Sequence, residues 1–148
     1  MKPVSVSIQV PQPREQVFDF LDVLRNHEQF TDHFLLDWEV SGPERGVGAK
    51  AHMRVKSLGG RDEMDMEVVA AEPPRMTAEE SVSAKGRRRT RGTYRLEPAP
   101  DGGTVIEFEL EWLRATLLDR LTAPLARSVV RDANITALQR LRVTLEEG

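Results

Sequence analysis

The residues able to do chemistry are few, and an absence narrows the field first. The 148 residues include no cysteine, which excludes disulfides, thiolate nucleophiles and Cys-ligated zinc. His27, His33 and His52 fall at no spacing that a helix or hairpin would turn into a ligand pair, so no metal and no cofactor is predicted. Two acids stand out instead. Glu80 lies in the alternating run Met76, Ala78, Glu80, Val82, against Thr77, Glu79, Ser81 and Ser83. If the Met/Ala/Val side is the inner face of a strand, Glu80 points inward. A carboxylate there must be paired, reach a cavity mouth, or keep its proton through a raised pKa. The last case makes it a general acid or base for enolisation or dehydration. A bulge or a sheet edge would leave it outside, because a slip of one residue reverses every side chain. Asp132 is the second catalytic candidate. It continues the helical stripe Leu118, Leu121, Leu125, Val129, unless it pairs locally with Arg127 or Arg131. Facing inward together, the two acids would share a polar site with Thr90 or Tyr94.

The surroundings expected of these acids are apolar. Met53, Met64, Met66 and Met76 fall on one face of adjoining strands, and thioether chains suit either an irregular core or a pocket that adapts to a greasy ligand. Trp38, Tyr94, Phe108 and Trp112 extend that lining from the sheet, and Leu125 and Val129 from the helix. The expected partner is a hydrophobic small molecule. Arg87-Arg88-Arg89-Thr90-Arg91 invites a nucleic-acid reading, but alternation splits it between two faces and glutamates oppose part of it; with a net charge of -3, no nucleic-acid partner is predicted. Gly46-Val47-Gly48-Ala49-Lys50 is a turn and not a phosphate loop.

The elements that must position these groups follow from periodicity. Val4, Val6, Ile8 and Val10 alternate with polar residues, the period of a half-buried strand. Pro13 opens a short helix carrying Val17, Phe20, Leu21 and Leu24, and Asn26 with Gln29 marks a second, from His27 to about His33. From Leu35 the period is two. One strand presents Leu36, Trp38 and Val40. Next, Ala49 to Lys56 turns at Leu58-Gly59-Gly60 into Glu63 to Ala70. Pairing Met53 with Met64 and Ala51 with Met66 sets Arg54 against Glu63, His52 against Asp65 and Lys50 against Glu67, so one register satisfies both faces. Leu96 opposite Ile106 likewise brings Tyr94 to Phe108, Gly92 to Leu110, Arg95 to Glu107 and Arg91 to Glu111. Leu117 to Glu147 is one long C-terminal helix, with Pro124 either kinking it or marking its start. Beyond Asp132, Ile135, Leu138, Leu141 and Leu145 drift off the first stripe. No linker or repeat divides residues 1–148, which predicts one α+β domain.

The order of these patterns resembles the START-like (SRPBCC) superfamily, in its bacterial polyketide cyclase/dehydrase-like branch. The resemblance rests on Val10-Pro-Gln-Pro-Arg-Glu-Gln-Val-Phe-Asp-Phe-Leu21, the Gly46-Val-Gly48 turn, Ala70-Ala-Glu-Pro-Pro-Arg75, Leu96-Glu-Pro98 with Asp101-Gly-Gly-Thr104, and the closing helix. It implies a helix-grip fold: a curved seven-stranded antiparallel sheet around a long C-terminal helix, with two short helices after the first strand and an elongated apolar cavity between sheet and helix. Such relatives bind lipids, hormones, quinones or polyketide chains, and some cyclise and dehydrate them. Glu28-Gln-Phe-Thr-Asp-His-Phe34 departs from the Pro-x-Trp-like segment common in the family, and no catalytic motif carries over residue by residue. The expected function is binding of an apolar or amphipathic molecule, with a cyclase/dehydratase-type enzyme and a protein-interaction module as alternatives. No stretch reaches the roughly 18 apolar residues of a membrane span. The opening MKPVSVSIQV lacks the apolar run of a signal peptide, so a cytoplasmic protein is expected, as monomer or homodimer.

Overall fold

The computed structural model describes residues 1–57 and 60–148; of the turn expected at Leu58-Gly59-Gly60, the first two residues lie outside them. In chain order come β1 (Val4–Val10), α1 (Arg14–Leu21), a 3-10 turn (Leu24–His27), α2 (Glu28–Thr31), then β2 (Leu35–Ser41), β3 (Lys50–Ser57), β4 (Gly60–Glu72), β5 (Met76–Ser83), β6 (Arg88–Pro98) and β7 (Thr104–Arg114), and finally α3 (Leu117–Leu121) and α4 (Ala123–Glu147). The strands form one antiparallel sheet ordered β1-β7-β6-β5-β4-β3-β2. With the long helix against it, this is the helix-grip arrangement.

Both charge-matched hairpins have the predicted registers. His52 reaches Asp65 at 2.8 Å and Glu63 at 3.2 Å, and Arg95 forks between Glu107 and Glu109 at 3.2 Å each. Arg54 turns instead to Asp37, at 2.6 Å. Asp37 sits with φ of 56° at a bulge in β2, an edge strand. Pro13 precedes α1, which buries Val17, Phe18 and Leu21. No side chain caps α2: the amide of Asn26 donates to the Phe20 carbonyl instead.

Two expectations are overturned. The first concerns the inner face of β5. The register between β4 and β5 shifts between Val68 and Ala70, and a bulge of this kind reverses the parity of everything beyond it. Thr77, Glu79, Ser81 and Ser83 are the buried side chains that turn inward. Glu80 therefore faces away from the helix, directly opposite Arg91 and within 3.9 Å of both Arg89 and Arg91. Met76 is outside too, opposite Arg95.

The second concerns which side of α4 meets the sheet. The packed side runs through Ala126, Val130, Ala133, Ala137, Leu138, Leu141 and Leu145, and Leu121, Leu125, Val129 and Asp132 are exposed. At 100° per residue the two stripes lie about 150° apart around the axis. Two arginines hold the rotation. Arg127 donates to the carbonyls of Lys2 and Pro3, at 3.1 and 2.9 Å, and Arg140 binds Asp32 and His33. The drift beyond Asp132 thus has a physical account: Leu138, Leu141 and Leu145 belong to the stripe that packs. Leu125 and Val129, expected in a cavity wall, are on the outer side, as is Asp132. Pro124 falls in the first turn of α4, where its missing N–H costs nothing.

The interior has two apolar clusters. One joins α1, α2, β1, β6, β7 and the second half of α4, through Phe18, Phe30, Tyr94, Phe108 and Leu141 among others. The other joins the 3-10 turn to β2, β3 and β4, through Leu24, Met53, Met66 and Val68, with Trp38 and Met64 packed on it. Between them runs the polar inner edge of β5.

Candidate functional site

That polar edge is the candidate site, and Glu79 is its centre. Its strand neighbours across the sheet are Val68 on β4 and Gly92 on β6. The glycine is what makes room. A Cβ at position 92 would lie 2.8 Å from the Phe108 ring and 3.3 Å from a Glu79 carboxyl oxygen. Gly92→Ala is accordingly expected to cost about 1–3 kcal/mol in urea denaturation, since the buried Phe108 ring, 4.6 Å from Tyr94, cannot withdraw freely.

Glu79 is 8% exposed, and its carboxyl accepts no hydrogen bond among the described residues. His27 Nδ1 lies 3.7 Å from one of its oxygens. Burial alone pushes its pKa up to about 8, because a carboxylate loses its hydration there and gains no compensating donor. At neutral pH it is a carboxylic acid with an O–H to give.

His27 is the complement. The 3-10 turn buries it to 3% exposure, and Nε2 lies 2.8 Å from the Leu21 carbonyl. A carbonyl only accepts, so Nε2 carries the proton and Nδ1 presents its lone pair toward Glu79. Burial lowers the pKa of His27 to about 4, partly opposed by the bond to Leu21. Acid and imidazole are both neutral, since two buried charges would cost more than their attraction returns at this separation. Tyr94 packs edge-on against the imidazole with ring centroids 5.5 Å apart. Burial holds its phenol well above the usual range, and an ionised Glu79 would push it further. The Trp38 ring centroid lies 6.5 Å from that of His27.

From Glu79 the polar seam continues along β5 through Ser81, opposite Thr90, to Ser83. It ends at Arg88, which donates to Ser83 Oγ at 3.3 Å and to Asp62 at 3.1 Å, and grips Asp119 of α3 through two bonds of 2.8 and 3.0 Å. This cluster ties the short helix to the sheet. The Asp119 carboxyl is held below the usual range by that arginine.

Of the predicted lining, Met53, Met66, Tyr94 and Phe108 are buried on the inner side, and Trp38, Met64 and Trp112 are half-buried there. Thr90 joins the seam. Glu80, Asp132, Met76, Leu125 and Val129 do not come to it. Sequence reasoning missed Glu79 and His27. The usable signal was Gly92, a strand glycine one residue pair from Tyr94 that marks a close approach from the neighbouring strand. Two clefts open elsewhere. One of about 480 Å³ lies beside the 3-10 turn and the β2–β3 connection, and another of about 240 Å³ lies between α1 and the end of α4. Neither is lined by Glu79.

No protein of curated function matches the sequence. Solved structures resemble the fold over nearly the whole chain. TTHA0849 from Thermus thermophilus is 17% identical with a TM-score of 0.78, covering 99% of this chain and 98% of its own. MLL2253 from Mesorhizobium loti is 21% identical with a TM-score of 0.72, covering 99% and 98%. DynU16, a protein of the dynemicin biosynthetic locus, is 17% identical with a TM-score of 0.69; the match covers 99% of this chain and 48% of that one. The profile of the family described as "Polyketide cyclase / dehydrase and lipid transport" matches residues 1–146. With its helix-grip fold and a sequence match along almost its full length, this chain belongs to the polyketide cyclase/dehydrase and lipid transport family.

Proposed function

We propose that this protein, acting as a single START-like domain, binds an apolar or amphipathic molecule of lipid, quinone or polyketide type along the seam between sheet and C-terminal helix. An oxygen of the ligand would take the hydrogen bond that Glu79 offers. One observation carries this reading: a neutral carboxyl, nine-tenths buried, that makes no hydrogen bond among the described residues and lies between two apolar clusters. Leaving such a group unmet costs roughly 1–3 kcal/mol, which a ligand carbonyl or hydroxyl recovers. Entry requires the first turns of the long helix to part from the sheet. There α3 and α4 are held by the polar ties from Arg88 and Arg127, whereas the second half of α4 adds the packing of Leu138, Leu141 and Leu145 to its tie from Arg140. Extraction of the purified protein followed by mass spectrometry, with thermal shifts against fatty acids, quinones and polycyclic ketones, tests the proposal. Absence of any retained molecule together with no shift from any class would sink it.

A second reading has its own support in the opposed pKa shifts of Glu79 and His27 at 3.7 Å. Carboxylic acid and lone-pair imidazole form an acid and a base of the kind enolisation uses. His27 Nδ1 would take a proton from the carbon next to a ketone while Glu79 protonates the ketone oxygen; attack of that enol carbon on a second carbonyl forms the ring C–C bond as the enol O–H returns its proton to Glu79 and His27 protonates the new alkoxide, and loss of the resulting β-hydroxyl as water completes a cyclase/dehydratase step. Deuterium uptake at the central carbon of a bound β-diketone, followed by NMR, is expected to slow at least tenfold in Glu79→Gln. Equal uptake in both proteins removes Glu79 from the chemistry.

A further inference from the structure

The leucines that α3 and α4 turn away from the sheet need an account that the seam does not supply. Leu117, Leu118, Leu121, Leu125 and Val129 range from 60% to 74% exposed and follow one another at helical spacing. Scattered exposed leucines are ordinary, but a contiguous stripe marks a contact surface. Their surroundings identify the contact. Residues 113 to 131 hold four arginines, Arg114, Arg120, Arg127 and Arg131, against one aspartate, Asp119, in a chain of net charge -3. That aspartate is already occupied by Arg88. Arg88 also fixes the turn Ala84–Gly86 beside α3, through Ser83 and Asp62, which itself accepts from the Ala84 amide, so exposed Lys85 and Arg87 stand at the same end. Arg89 and Arg114 lie directly across the ladder from one another. Glu80, 3.8 Å from Arg89, offsets that member of the pair, whereas Arg114 makes no ion pair among the described residues and stands open to an external anion.

We infer that this end of the molecule docks on an anionic phospholipid surface, with the stripe from Leu117 to Val129 in the acyl boundary and Arg114, Arg120 and the Lys85–Arg87 turn at the headgroups. Basic residues flanking a leucine face are the chemistry of helices that lie in the membrane interface. Pairing with a second copy fits less well. It would bring Arg114, Arg120 and Arg131 of both copies together, with exposed Asp132 the acid that the outer side of α4 sets against them. The inference does not depend on what the seam binds, although docking here sets the Ser83 end of the seam toward the lipid.

Flotation of the purified protein with vesicles tests it. Vesicles of phosphatidylcholine and phosphatidylglycerol should carry the protein at low salt and release it as salt rises, and vesicles of phosphatidylcholine alone should carry little. Each basic residue near such a surface is worth about a fivefold change in affinity, so R114Q/R120Q should weaken binding roughly 30-fold. L121D should abolish it while leaving the melting temperature and the small-molecule thermal shifts unchanged, because Leu121 is exposed. No flotation with the anionic vesicles overturns the inference. So does a wild-type dimer in sedimentation that L121D dissociates, which assigns the stripe to a second copy.

Discussion

Glu79→Gln is expected to stabilise the fold at about pH 8 by on the order of 4 kcal/mol, a direction opposite to that of most substitutions at a buried site. The sign follows from linkage. The folded-state pKa of Glu79 is raised from 4.5 to about 8, so between those values the folded protein holds a proton that the unfolded chain has released. Stability is therefore fully present below pH 4.5 and declines as pH rises toward 8. His27 acts the other way. Its folded pKa is lowered from 6.5 to about 4, so its contribution is present above pH 6.5 and is lost as pH falls toward 4. Between about pH 4.5 and 6.5 the two slopes cancel, and the wild type should show a plateau with losses on either side. Removing the carboxyl leaves only the histidine slope: the variant should gain stability up to about pH 6.5 and then stay level. Urea midpoints of both proteins at several pH values measure this, and parallel curves would falsify the assignment of Glu79 as a desolvated acid. Glu80→Gln is the control. Its carboxylate lies on the outer face beside two arginines and is partly exposed, so the change should stay within about 0.5 kcal/mol.

Leu141→Ala should cost about 2–5 kcal/mol, and Leu125→Ala close to nothing. Leu141 is 0% exposed and packs in the larger apolar cluster, while Leu125 is 66% exposed on the far side of the same helix. By the apolar pattern of residues 118 to 129 alone, the expectation reverses, with Leu125 at the sheet. The pair of variants therefore measures which side of α4 is packed. Equal costs at both positions would mean that the helix is gripped along two faces.

The architecture is largely legible in the sequence. In the β3–β4 and β6–β7 hairpins the alternation of apolar and charged residues admits one register, because slipping by one would bury charges and misalign Lys50 with Glu67 or Arg95 with Glu107. Such information is local and redundant. The site was less legible for two separate reasons. Met76, Ala78 and Val82 are more apolar than Thr77, Ser81 and Ser83, so hydropathy alone turns β5 the wrong way; the bulge after Val68 decides otherwise through backbone pairing with β4. His27 was visible as a histidine between two short helices, but its carbonyl partner and its proximity to Glu79 arise from packing between segments far apart in the chain.

By itself the sequence determined the strands, their antiparallel pairing, the order of helices among them and the family, since each rests on periodicity within a segment or between neighbouring segments; the helix ends, with α3 and α4 parted at Thr122, were set by the fold. Only the tertiary structure decided which carboxylate faces inward and which side of the long helix packs. Those choices turn on a one-residue bulge and on two arginines, Arg127 and Arg140, that hold the helix by its backbone and side-chain partners. A change of one residue in a strand, or of half a turn in a helix, leaves the local pattern intact and exchanges inside for outside.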